Sequence, residues 1–310
     1  MTNASPGPVA PLDLPRWLIF AAVARRGSFT AAARELGLSK SAVSEHVSGL
    51  EASVGARLLE RTTRKVSPTQ VGLLALEGCA VVESGLRDLA AALEEHRESP
   101  SGTLRVATTH DLGARFVLPA AAAVAARHPG VRVDVSCDDA VADLVGGGFD
   151  LAVRLGRPAE SGFVLRRLAE VDEPLVGSPE LAERYPDARR PRDLTGAPFV
   201  RHALVHRGRS WAFQARGERD AVVPEVRAQA NTGEGVRALL LAGLGFGCLP
   251  EYLLAEDLGR GALLRVCPGW TLKRVTLYAL LPSAKAPRRV GLFLEELGRA
   301  LARVGLTRPG

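Results

Sequence analysis

Apolar residues recur with a helical period over the first hundred positions, then change to short runs of strand length. Between residues 13 and 66 three amphipathic segments follow one another with short breaks. Leu14, Leu18, Phe20, Ala21 and Val23 predict a helix ending near Gly27. Ser28 or Thr30 is placed to cap a second, with Ala32, Ala33 and Leu36 inward and Gly37 as its stop. Ser39 caps a third, in which Val43, Val47 and Leu50 fall at i, i+4, i+7 and Gly55 marks the end. Residues 58–61 and Val66 then read as two short β-runs around a polar, basic tip, a small hairpin.

From 69 to about 96 the pattern is helical and unbroken by proline. Ala75, Cys79, Val82, Leu86, Leu89 and Leu93 recur at spacings of 4, 3, 4, 3, 4. Such a row packs either against a partner helix or, as a long amphipathic helix, on its own domain. The Cys79, Val82, Leu86, Leu89, Leu93 seam is expected to pair two chains, because this helix separates two regions of different character.

Ser99-Pro100-Ser101-Gly102 reads as a linker, and after it strands and helices alternate. Strands are expected at 104–108, 131–137, 151–155, 173–177, 199–200, 227–230, 245–249, 263–266 and 275–281. Helices fit at 114–127, 140–145, 179–185, 233–242, 250–257 and 288–304. This alternation argues for parallel α/β sheets in two lobes. Lobe one would take about 102–170 and 272–305, and lobe two about 171–271. The expected plan is a disordered tail at 1–12, a helical domain with a small hairpin at 13–68, a linker and dimerisation helix at 69–98 and a two-lobed α/β domain at 99–310.

The composition narrows the classes. The 310 residues are 46% hydrophobic and 24% charged, a globular profile. Four cysteines form no C-x-x-C pair, so neither a disulfide framework nor a zinc motif is present, and a reducing cytoplasm is expected. The longest apolar run, 238–250, is shorter than the roughly 20 residues that span a bilayer. The apolar stretch 17–24 ends in Ala22-Val23-Ala24 but has only Arg16 before it and two arginines after it, so it is not read as a leader. Net charge is +6, but its placement says more: +4 over 1–72, −4 over 73–98 and +6 over 99–310. The basic N-terminal region permits nucleic acid as a partner.

The helix–turn–helix at 30–54 places the start of its third helix for a DNA major groove. Thr30, Ser39, Lys40, Ser41, Ser44, Glu45 and His46 are the candidate contacts. Lys40 suits guanine O6/N7 and Glu45 suits cytosine N4, while Ser39 and Ser41 suit phosphate oxygens. Arg61, Arg64 and Lys65 at the hairpin suit the adjacent backbone or minor groove. On patterning alone, a bundle fragment with a solvated charged face is the alternative.

The run FAAVARRGSFTAAARELGLSKSAVS at 20–44, LEASVGARLLERTTR at 50–64 and TQVG at 69–72 resembles the winged helix–turn–helix of LysR-type transcriptional regulators. The similarity continues through GTLRV at 102–106, FDLAVR at 149–154 and GLGFGCLP at 243–250. It implies an α/β chain: a winged helix–turn–helix N-terminal domain, a long linker helix and a two-lobed effector domain like that of periplasmic binding proteins. It implies a regulator that binds double-stranded DNA and a small-molecule effector and works as a homo-oligomer, dimer or tetramer. Two positions depart from the pattern. Lys40 stands where the family often has Gln, and Glu45 where a basic or amide residue is common, so base preference does not carry over.

In open α/β sheets ligands gather where strands end and helices begin. Thr108, Thr109 and His110 follow the first expected strand, and Asn231, Thr232 and Gly233 open a helix in lobe two. The resemblance places the effector at these two turns, whose hydroxyls and free N–H groups favour a small anion. Arg154, His202, Phe246 and Gly247 are further candidates, with capping or loop roles as the alternative. No G-x-S-x-G, H-E-x-x-H or Walker motif is present, so an enzyme is not expected. His202 and His206 lack a third ligand, so neither a metal nor a cofactor is expected. The rival class is a ligand-binding module whose N-terminal helices serve protein association alone.

Overall fold

The computed structural model describes residues 13–61, 66–95, 99–139, 148–156, 163–205, 208–272 and 274–306. The tail at 1–12, the hairpin tip with Arg64 and Lys65, the helix expected at 140–145 and His206 lie outside the described residues. The chain divides into an N-terminal unit ending at Leu93 and a C-terminal unit beginning at Glu94.

The N-terminal unit runs α1 (Leu14–Arg26), α2 (Phe29–Leu36), α3 (Lys40–Val54), β1 (Leu59–Arg61), β2 (Val66–Pro68) and α4 (Gln70–Glu95). Each of the first three helices stops at a glycine in the left-handed region: Gly27 at φ 60°, Gly37 at 67° and Gly55 at 72°. A side chain there would be strained, so these stops are written in the sequence. Ser28, not Thr30, caps α2, its Oγ accepting the Ala31 N–H at 3.3 Å. Phe20, Val43, Val47, Leu50 and Leu58 are buried together, each stabilising the unit by about 1.5–3 kcal/mol.

β1 and β2 pair antiparallel, with Leu59 opposite Pro68. Glu51 Oε1 accepts the N–H groups of Leu58 (2.8 Å) and Leu59 (3.0 Å), fixing the hairpin to the end of α3. The Thr69 hydroxyl donates to Arg57 O at 2.8 Å and accepts the Gly72 N–H at 2.9 Å, which joins the hairpin to α4. Arg25 and Glu83 form a two-pronged ion pair, both bonds 2.7 Å and largely out of water, between α1 and α4.

The row along α4 divides in two, which corrects the expectation for Cys79. Cys79 is buried against α1, its Sγ 3.6 Å from Trp17 O, with Ala75 and Leu76 packed beside it. Val82, Leu86, Leu89 and Leu93 are exposed, from 39% at Val82 to 63% at Leu93.

In the C-terminal unit come β3 (Gly102–Thr108), α5 (His110–Leu112), a π-helical turn Gly113–Val117, α6 (Leu118–Arg127), β4 (Val131–Cys137), β5 (Leu151–Leu155) and β6 (Val164–Val171). Next are β7 (Leu175–Gly177), α7 (Pro179–Ala182), β8 (Pro198–His202), β9 (Trp211–Ala215), β10 (Glu218–Val222), β11 (Glu225–Ala230) and α8 (Gly233–Leu241). The unit ends with β12 (Gly247–Cys248), α9 (Glu251–Gly259), β13 (Leu264–Arg265), β14 (Thr271–Leu272), β15 (Val275–Leu281) and α10 (Arg288–Ala302).

Lobe one is a five-stranded sheet of order β4-β3-β5-β15-β6. β3 runs parallel to β4 and β5, but β15 is antiparallel to β5 and to β6, so the sheet is mixed where parallel pairing was expected. The antiparallel pair follows from connectivity: β15 is the strand on which the chain returns from lobe two. α6 and α10 bury Ala121, Val124, Phe293 and Leu297 in the lobe-one core. In lobe two β11 pairs β8 in parallel, and β12-β7-β13 are antiparallel, with a Phe199–Phe246 bridge between the two groups. A separate sheet, β10-β9-β14, closes a core of Phe199, Phe213, Phe246, Trp211 and Trp270. The chain crosses between lobes twice, and Arg274 Nε meets Asp172 Oδ1 at 2.7 Å across the two crossings. The lobe-one core continues through Phe116 and Tyr252, whose rings meet edge-on at 5.3 Å, into α8 and α9.

Candidate DNA-reading head and effector cleft

The first two turns of α3 present Lys40, Ser41 and Glu45 to solvent, with Ser44 and His46 half-buried beside them. Ser39 is committed to the helix cap, its Oγ accepting the Ala42 N–H at 3.1 Å, and it lies 2.9 Å from Ser41 Oγ. Lys40 stands where the helix dipole favours anions, a placement that costs about 0.3–1 kcal/mol. Thr30 is exposed in the first turn of α2, and Arg61 ends β1.

Between the two lobes lies a cavity of about 460 Å³. Thr109, Asp111, Asp139, Arg154, Leu155 and Val275 line it from lobe one, and Glu173, His202, Leu204, Gly233, Leu249, Tyr252 and Leu253 from lobe two. Four of the expected residues, Thr109, Arg154, His202 and Gly233, therefore meet on one cavity. Others are placed elsewhere. Thr108 is fully buried in the sheet, where its hydroxyl donates to Val153 O at 3.1 Å. Phe246 is fully buried in the lobe-two core, edge-on to Tyr185 at 5.3 Å. Gly247 packs so tightly that a Cβ would lie 2.8 Å from Val200 O. His110 and Asn231 are exposed and not among the cavity-lining residues. Thr232 caps α8, its hydroxyl accepting the Gly235 N–H at 3.1 Å.

Sequence reasoning missed the acidic wall. Asp111, in lobe one, sets its carboxylate against the backbone at the start of α8 in lobe two, near enough to the N–H groups of Gly233 and Glu234 for them to favour its charged form. The site expected to receive an anion thus already receives the chain's own carboxylate. Gly233 permits this approach, since a Cβ there would stand 2.2 Å from Asp111 Oδ2. Burial raises the Asp111 pKa, and the carboxylates of Asp139 and Glu234 push it the same way, while the two backbone N–H groups oppose them. Asp139 in turn accepts the His110 N–H at 3.2 Å and lies 3.3 Å from His110 Nδ1. Arg154 donates to Asp138 O at 3.0 Å, and burial lowers its pKa although Asp138 and Asp139 favour its charge. Burial raises the Tyr252 hydroxyl well above the usual phenol range, with Asp111 and Glu173 adding to it. A spacing-based reading finds none of this, because residues 111, 139 and 173 converge only through the fold.

The thiols are placed for packing. Cys79 and Cys267 are each pushed up to about 11 by burial and neighbouring carboxylates, and burial also raises fully buried Cys248 well above the usual thiol value. Cys137 is half-buried, and its upward shift comes from burial and Asp139. A thiol reagent at pH 8 is expected to label Cys137 first and the other three only on unfolding. Mass spectrometry of the labelled peptides checks this, and early labelling of Cys248 would contradict it. Among the described residues no group of three His, Cys, Asp or Glu side chains is arranged to hold a metal ion. No helix among them is long and apolar enough to cross a membrane.

Comparison with known proteins agrees with this architecture. Residues 14–73 match the bacterial regulatory helix-turn-helix protein, lysR family, and residues 97–302 match the LysR substrate binding domain. The HTH-type transcriptional regulator PtxR of Pseudomonas aeruginosa is 38% identical over 296 residues, 94% of each chain. Among solved structures, ArgP from Mycobacterium tuberculosis is 27% identical with a TM-score of 0.66, covering 96% of this chain and 99% of that one. The full-length Vibrio cholerae virulence activator AphB, 24% identical with a TM-score of 0.60 over 92% of this chain and 98% of its own, shares the fold. A helix–turn–helix head followed by a two-lobed domain with a cleft, matched by both family profiles over nearly the whole chain, makes this protein a LysR-type transcriptional regulator, with a DNA-binding domain and an effector-binding domain.

Proposed function

We propose that the N-terminal end of α3 reads base edges in the major groove, with Lys40 and Glu45 as the base-reading side chains. Ser41 and the hairpin residues Arg61, Arg64 and Lys65 hold the phosphate backbone. The observation that carries this reading is the exposed turn at Lys40, a cation kept at the helix end that disfavours it. Two chains pair along the exposed row Val82, Leu86, Leu89 and Leu93, and dimers pair into tetramers. An apolar groove of about 250 Å³ beside it, walled by Leu14, Trp17 and Leu18, supports the pairing. Two heads then meet two half-sites of a near-palindromic operator in the cytoplasm. The effector sits in the cleft between the lobes and shifts the population of lobe arrangements, and with it head spacing. The chain itself catalyses no reaction.

A mobility-shift assay on the DNA flanking the protein's own gene tests the reading. A sequence-selective, salt-sensitive band is expected, and dimerisation without DNA affinity would overturn it. Lys40→Ala is expected to change base preference, at about 1–3 kcal/mol for the affected position. Arg64→Ala is expected to weaken all sequences alike and to lower the salt slope by about 1. Equal, sequence-blind losses from both would refute that division.

A further inference from the structure

We infer that the effector carries an ammonium or comparable cationic, hydrogen-bond-donating head group on an apolar body, and that Asp111 is the residue that receives it. This rests on the reading of the cleft as the effector site and specifies the chemistry that fills it.

Three observations converge. First, the ionisable lining is predominantly acidic: Asp111, Asp139 and Glu173 face the same cavity as Arg154 and His202. Second, one oxygen of Asp111 is unsatisfied. Its Oδ2 lies against the backbone of Gly233 at the start of α8, yet Oδ1 is buried with no hydrogen-bond partner. A buried carboxylate oxygen left so is costly unless a donor arrives. Third, the rest of the wall is apolar, with Leu155, Leu204, Leu249 and Leu253 among its residues, and buries a hydrocarbon body rather than a second charge. The α8 N-terminus offers no vacancy for an acid, because Asp111 occupies it. A carboxylate elsewhere on the same molecule is compatible with Arg154 and His202, so an amphoteric compound fits both ends.

The same contact has a second explanation, a plain clamp between lobes, and the test separates the two. In the full-length protein without added compounds, Asp111→Asn keeps an acceptor for the α8 N–H groups and removes the charge. If Asp111 awaits a cation, the substitution is expected to raise the melting temperature of the effector unit by about 2–4 °C. A clamp that works through its charge on the helix dipole lowers it instead, and that result overturns the inference. Two matched probe sets are then titrated into wild type by thermal shift and calorimetry. One is 2-phenylethylamine, L-phenylalanine and 3-phenylpropanoate; the other is 3-methylbutylamine, L-leucine and 4-methylpentanoate. The amine-bearing members are expected to bind at least tenfold tighter than the acid of the same body, and Asp111→Asn to erase that preference. Acids that bind as well as the amines, or an amine preference that survives Asp111→Asn, overturn the head-group assignment and leave the cleft as the effector site. If no probe of either set shifts the melting temperature while DNA binding is intact, the cleft reading fails and this inference with it.

Discussion

Replacing Gly72 by alanine is expected to unfold the DNA-binding head while the effector lobes stay intact. A Cβ at this position would lie 2.0 Å from Leu58 O, 3.0 Å from Leu58 C and 3.3 Å from Pro68 Cβ. The nearest atom is backbone, and it already accepts the Thr69 N–H at 2.9 Å. Neither side can yield without unmaking the junction of hairpin and α4. Overpacking of this kind costs about 3 kcal/mol or more, a large share of the stability of a small helical unit. Hydrogen exchange reads the effect: amides of α2 and α3 lose protection, strands of the effector sheets keep theirs, and operator binding is lost. A variant with wild-type protection in α3 would show that Gly72 makes no such contact. The glycine of the TQVG segment thus has a steric reason, where the pattern alone reads only as a family signature.

Asp257→Ala is expected to destabilise the effector unit by about 3–5 kcal/mol, the usual loss when one partner of a buried ion pair is removed. Asp257 is wholly buried. Arg237 Nη2 donates to its Oδ1 at 2.9 Å and Arg260 Nη2 at 2.7 Å, and Arg237 Nε donates to Oδ2. Alanine leaves two guanidinium groups without their acceptor and a void behind α9. The pH dependence has a definite sign. Burial raises the Asp257 pKa, but the two arginines outweigh it and hold it below the usual carboxylate value. A folded pKa below the unfolded one means that the contribution is complete above about pH 4 and is lost as pH falls through the folded value. Urea unfolding followed from pH 7 to pH 3 should show this loss in wild type and a flatter acid limb in the variant. An unchanged acid limb would assign the sensitivity to other carboxylates.

The head was legible because its signals are local. Ser28 and Ser39 cap helices, and Gly27, Gly37 and Gly55 end them in the left-handed region, so three boundaries follow from three glycines. Four of the five strands of lobe one were legible, but not their direction, because strand sense depends on how the chain returns from lobe two. β6 was missed since Arg166, Arg167 and Glu170 interrupt its apolar run; it is an edge strand, exposed at Arg166 and Arg167 and buried at Leu168, Ala169 and Val171. The β9–β10 hairpin was missed because its turn uses Arg216 at φ 45° before Gly217 at 86°, where Asn or Asp is the usual signal. In the cleft, residues placed by adjacency to strand ends divided unevenly. Thr109 and Gly233 reached the cavity, whereas Thr108 pointed into the sheet, as the alternation of side chains along a strand demands. Asp111 carries no signal of its own in sequence, since its partner lies 122 positions away at Gly233.

The apolar seam that runs from α6 and α10 through Phe116 and Tyr252 into α8 and α9 bears on modularity. Two lobes joined only by crossing strands would be exchangeable parts, each portable to another regulator. Here a graft of lobe two would bring a helix pair shaped for a different Phe116, and the mismatch would fall within a continuous buried core. New effector responses in this chain are therefore reached by changing individual side chains on the cleft wall, not by transplanting a lobe.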